Sequence, residues 1–225
     1  MIPRVVSPGQ LVIALALGAS VTPLWAQDST RHNTARAIHA AGPRAIPVAS
    51  LAGQPVTVLP ITMLIADSSL KHDTAYASYH DRAAALARAD SAIGAALAER
   101  APEVQWVLPD ELRRIARRAP GMVKDPDTYG QAMLRSAKLK ELPEPLRGNV
   151  RNLVAVAGGR FTLVPAALLF SRGSEGAVHA DLTCVVADAR AGKVLWRAVV
   201  SGTGATADAA LEAALTGALP LDSTP

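Results

Sequence analysis

The spacing of apolar residues changes repeatedly along this 225-residue chain, and each change marks a predicted element. A short apolar run, Leu11-Val-Ile-Ala-Leu-Ala-Leu17, comes first, and residues 27–54 then show neither a helical nor a strand period. Val56-Thr-Val-Leu59 is β-branched and apolar, which predicts a strand ending at Pro60. Residues 78–100 place Tyr79, Ala83, Leu86, Ile93 and Leu97 on one stripe, as a helix requires. A second short strand ends at Val107-Leu108-Pro109, and residues 109–118 then open with proline and acids and close on arginines. That order suits the helix dipole. Asp125-Pro126-Asp127 predicts another helix start, leading into residues 129–137. Leu146, Val150, Leu153, Val154 and Ala157 form a further stripe, which Gly158-Gly159 would stop.

Three strands are predicted next: residues 160–170, continuing past a bulge at Pro165; residues 178–186; and, after a turn at 188–192, residues 193–200. Gly202 and Gly204 are expected to end the last strand, and Leu211, Ala214, Leu215, Ala218 and Leu219 give the closing helix its apolar face. Strands separated by helices favour parallel pairing, whereas the late hairpin must be antiparallel. The expected fold class is therefore α/β: a single mixed sheet of about five strands with helices packed on it. The chain divides into a secretory signal (1–26), a flexible lead-in (27–54), one α/β domain (55–220) and a disordered tail (221–225).

The signal is read from order as well as hydrophobicity. Arg4 is the only charged residue in the first 26; the apolar run follows it, and Leu24-Trp25-Ala26 precedes polar Gln27-Asp28-Ser29-Thr30. The rival reading is a membrane anchor, but residues 11–22 would rise only about 18 Å as a helix, against a hydrocarbon core of roughly 30 Å. The only cysteine, Cys184, is far from the cleavage point, so no thiol is there for lipid attachment and no intramolecular disulfide can form. The expected location is periplasmic or secreted, without a transmembrane segment in the mature chain. Beyond residue 26 there are 22 Lys and Arg against 19 Asp and Glu, too mild an excess for a nucleic-acid partner. Aromatics make up 4% of the chain, so its core must be built from Ala, Leu and Val.

Val56-Thr-Val-Leu-Pro60 after a secretion signal, then Val186-Ala-Asp-Ala-Arg-Ala-Gly-Lys-Val-Leu-Trp196 and an Ala-rich final helix, resembles a group of bacterial envelope proteins. The group includes the amino-terminal domain of the TolB translocation protein, the periplasmic domain of curli-secretion pore subunits and lipoprotein activators of peptidoglycan synthases. The resemblance spans roughly residues 55–219 and implies a small α/β domain that binds other proteins and is not catalytic. The chain departs from the group in lacking a lipid-bearing cysteine and a long alternating insert able to form a barrel, so a pore is not expected. Pro165 also stands where such domains often have a glycine.

Few side chains suggest chemistry. Asp90 falls on the apolar stripe between Leu86 and Ile93; a buried carboxylate needs a partner, here Arg82, Arg88 or a backbone amide, so Asp90 is the candidate polar anchor. Arg113, Arg114, Arg117 and Arg118 form a basic helix end, with Arg147, Arg151 and Arg160 as possible neighbours. They are the candidate interaction residues, for lipid headgroups or an acidic partner, unless they only satisfy the helix dipole and pair with Asp110 and Glu111. The pairs His72-Asp73 and His80-Asp81 could ligate a metal, though either aspartate could equally cap a helix. His179, Asp181 and Thr183 alternate on one strand face, and Trp106 and Trp196 read as core. No nucleophile elbow, phosphate loop or zinc motif is present. No catalytic residue, metal or cofactor is therefore assigned. The expected function is an exported, non-enzymatic accessory domain with an envelope protein partner, an outer-membrane component being one option. The alternatives are a small-ligand or lipid-binding module and, further off, a metal-assisted hydrolase.

Overall fold

The structure, a computed structural model, describes residues 45–220. The expected leader and tail, and residues 27–44 of the lead-in, lie outside the described residues. Ten elements follow in order: β1 (Pro55–Val58), β2 (Leu64–Ala66), α1 (Arg82–Arg100), β3 (Gln105–Val107), α2 (Pro109–Arg118), α3 (Leu146–Ala157), β4 (Phe161–Arg172), β5 (Val178–Asp188), β6 (Lys193–Gly204) and α4 (Ala207–Ala218). The strands form one mixed α/β sheet, ordered β3-β1-β4-β5-β6, with six strands rather than five. β1 runs parallel to β3 and β4, and β4, β5 and β6 are antiparallel. The extra strand, β2, pairs with β4 beyond the end of β1.

Helices cover both faces. On the first, α1 and α4 pack over Val56, Val58, Phe161, Leu163, Phe170, Leu182 and Trp196. On the second, α2, α3 and the intervening segment pack over Leu59, Val164, Ala166, Val185 and Ala187. Phe161 and Phe170 are fully buried, each contributing about 1.5–3 kcal/mol by leaving water. Pro165 does mark a bulge: it sits opposite Cys184 and Ala167 opposite Thr183, leaving Ala166 as the extra residue.

Four local expectations are corrected. Residues 45–54 are not a loose lead-in: Ile46 and Leu51 are buried, and the Ile46 N–H donates to the Ala218 carbonyl. Two single apolar anchors make no periodic signal. Gly202 and Gly204 do not end the last strand but lie inside β6. A Cβ on Gly204 would stand 2.6 Å from the Ala210 nitrogen, and one on Gly202 would overlap α4 backbone at Ala210 and Ala214, so both glycines admit the helix. The helix expected over 129–137 is two short 3-10 turns, Pro126–Thr128 and Gln131–Arg135, separated by Gly130 at φ 65°. The first long helix begins at Arg82 rather than 78, because Asp81 accepts from the Ala84 N–H as its N-cap. Upstream, Tyr76 and Tyr79 stack on one another, and Phe170 meets Tyr76 edge-on and Tyr79 at a tilt.

Candidate functional site

The crossover from β1 to β3 runs through α1 on the first face, and that from β3 to β4 runs through α2 and α3 on the second. The two part at the carboxyl end of β1, the crevice where open α/β sheets place ligands. Asp90 and Arg113 meet here. Asp90, on α1, is buried; its Oδ1 accepts from the Ile61 N–H at 2.8 Å, and its Oδ2 accepts from Arg113 Nη2 at 2.6 Å. Of the partners expected for Asp90, a backbone amide is used, but neither Arg82 nor Arg88. Arg82 donates to the Thr62 and Leu64 carbonyls, and Arg88 faces Asp208 at 3.7 Å.

Arg113 is not a free cation of a basic helix end. Its Nε and Nη2 donate to Asp127 at 2.9 and 2.8 Å, and its Nη1 to Asp110 at 2.9 Å, so one guanidinium is held by three carboxylates. These bonds, to Asp127 first, strengthen its hold on its proton. Burial raises the Asp90 carboxyl above its ordinary range despite the donors from Ile61 and Arg113. The side chain therefore links both helical layers across the end of the sheet. Of the other candidates, Arg114 pairs with Glu111 on its own helix, while Arg117 and Arg118 are exposed.

Two open clefts flank Arg113. One, of about 200 Å³, lies between α1 and α2 and is lined by Asp90, Ser91, Gly94, Leu108, Asp110 and Arg113. The other, of about 230 Å³, is lined by Arg113, Ala116, Arg117, Asp125 and Asp127. Charged side chains enter both, Asp90, Asp110 and Arg113 in the first and Arg113, Arg117, Asp125 and Asp127 in the second, beside small and apolar neighbours. Behind them, Gln131 is buried, its amide donating to the Pro60 carbonyl while its Oε1 has no partner.

The remaining sequence candidates serve the fold. Asp73 accepts from the Ala75 N–H, capping the start of the 3-10 segment Thr74–Tyr79, and pairs with Arg172; Asp81 caps α1. Among the described residues, no three His, Cys, Asp or Glu side chains converge as a metal site. His179 lies 3.2 Å from Asp181 and 3.1 Å from Thr203, and the Ser201 hydroxyl donates to Asp181, so these four side chains form one polar network between β5 and β6. Trp196 is buried, and Trp106 donates to the Ala101 carbonyl at 2.9 Å. Burial pushes the Cys184 thiol up to about 12, leaving it protonated at neutral pH.

Asp188 escaped the sequence reading, which saw it only as part of a turn. It is buried, its Oδ1 accepts from the Arg190 and Ala191 N–H groups, and its Oδ2 accepts from Arg160 Nε at 2.7 Å. Arg160, expected beside the basic helix end, is thereby tied to the β5–β6 turn. An aspartate opening a glycine-closed turn after an apolar strand was the available signal.

No helix among the described residues is long and apolar enough to cross a membrane. No family model matches the chain, nor does any curated protein. Among solved structures, it is similar to lipoprotein GNA1162 from Neisseria meningitidis, at 15% identity over 66% of this chain and 78% of that one, with a TM-score of 0.33.

Proposed function

We propose that this chain is a non-enzymatic protein-binding domain of the bacterial envelope, and that its partner adds an extended segment to the outer edge of β6. One observation carries the reading. β6 is 12 residues long and pairs with β5 along one edge. Among the described residues, its other edge is met only at the start, where Glu141 bridges to Lys193 and the Val194 N–H donates to the Lys140 carbonyl. From Ala198 to Gly204 the strand carries no proline and no charge, the usual guards of an edge. Such edges accept an added strand through backbone hydrogen bonds. On this stretch Val199 is itself about half exposed. The leader pattern and the resemblance to envelope domains support the compartment.

The test is photo-crosslinking in cells from a reactive residue at position 199. The captured protein is then purified, and amide exchange is measured on the reconstituted pair. Slowed exchange over 198–204 is the expected result. Failure to capture any protein, or protection that leaves β6 unchanged, would overturn the reading.

A further inference from the structure

Charge is divided unevenly between the two sides of the sheet. Residues 109–160, which form the α2–α3 layer, carry 11 Lys and Arg against 6 Asp and Glu, a net +5. The rest of the described chain carries 8 against 11, a net −3. The excess is not consumed by pairing: Arg117, Arg118, Lys124, Arg135, Lys138 and Arg151 are all exposed, and among the described residues none forms an ion pair. The same layer holds three of the five large apolar side chains left exposed on the domain: Met122 (66%), Met133 (52%) and Val156 (43%). Scattered cations alone would suit any polyanion. Cations interleaved with exposed, unbranched methionines suit a surface offering anionic headgroups and, just below them, acyl chain.

We infer that the outer side of the α2–α3 layer docks peripherally on an anionic lipid surface. Arg and Lys heads reach the phosphates while Met122, Met133 and Val156 enter the boundary beneath. Arg113 takes no part, since its donors are held by aspartates. The opposite layer, with its acidic balance, faces away, and the edge of β6 is a separate surface. The inference therefore does not rest on strand addition.

The experiment is co-sedimentation of the full chain with vesicles of phosphatidylcholine alone or with one-third phosphatidylglycerol, so that residues 1–44 contribute equally in every arm. Each surface cation is worth about fivefold in partitioning. Replacing Arg117, Arg118, Lys138 and Arg151 by Gln should therefore cost at least about a hundredfold on the anionic vesicles. Lys71→Gln with Arg88→Gln, on the other layer, should change it little. Met122→Ser with Met133→Ser, at sites too exposed to disturb folding, should weaken vesicle binding several-fold but leave binding to soluble polyglutamate unchanged. Equal partitioning onto neutral vesicles would overturn the inference, as would indifference to the four Gln substitutions. So would polyglutamate binding as tight as vesicle binding with no effect of the Met substitutions, which would mark an acidic protein as the partner.

Discussion

On one face of the sheet, α4 lies so close to β6 that Gly202 and Gly204 have no room for a Cβ. On the other, α2 is moored to α1 by carboxylates gathered around Arg113. The first layer is joined by shape: small residues face one another, Gly202 against Ala210 and Ala214 and Gly204 against Ala209 and Ala210. The second combines an apolar core with polar ties made at its margin. A steric joint has no intermediate state, because any added atom meets backbone. A charged joint gives way by degrees, since water and neighbouring acids remain to compensate. The layer that needs an exact fit should therefore be the less forgiving, although it contains no notable chemistry.

The largest effect is expected from Gly202→Val. Its side chain would collide with α4 backbone, displacing the helix and costing about 3 kcal/mol or more by urea denaturation. A loss below about 1 kcal/mol would mean that α4 floats on the sheet, and the contrast between the layers would collapse. Arg113→Ala comes next, at about 2–3 kcal/mol, because it leaves the buried Asp90 with only the Ile61 amide while the exposed part of the pair is screened. If instead Arg113→Ala proved the costlier of the two, the ranking of steric over polar joints would be reversed.

A smaller signal lies in pH. Because burial raises the Asp90 carboxyl in the folded state, the folded protein holds that proton more tightly than the unfolded chain. Its contribution to stability is then greatest below the ordinary value of 3.8 and declines as pH climbs through the raised folded value. Asp90→Asn removes this dependence, so its penalty should shrink from acid toward neutral pH in paired denaturation curves. A penalty that grew with pH would mean that pairing with Arg113 outweighs burial. The smallest effect belongs to Gly217→Ala, on the exposed side of α4, where a Cβ meets nothing within 4 Å. Here helix propensity alone acts, and the melting temperature should rise with a gain of about 0.5–1 kcal/mol.

Much of the architecture was legible because it rests on local periods. The stripe on α1, the glycines that end α3 and the bulge at Pro165 all follow from rules that act within a few residues. What escaped depends on distant neighbours. β2 is three residues long and exists because β4, beyond its bulge, has an open edge for Leu64–Ala66 to pair with. Gly202 and Gly204 looked like terminators because the helix that needs them comes later in the chain. Asp90 announced a buried carboxylate, but its partner is 23 residues away on the opposite face of the sheet. Only the paths of the two crossovers bring Arg113 to it, and the basic run around Arg113 hid that it differs from Arg117 and Arg118.

The bulge in β4 also limits how this strand can change. Side chains alternate between faces, so the unpaired Ala166 decides which half of the strand looks which way. With it, Phe161 and Leu163 before the bulge and Leu168 and Phe170 after it all point into the α1–α4 core. Deleting that one alanine would shift the reading frame of the downstream half, sending Leu168 and Phe170 to the opposite face and bringing Leu169 and Ser171 beneath the helices. Insertions and deletions in this stretch thus carry a parity, and β4 keeps its aromatic side inward only if it gains or loses residues in twos.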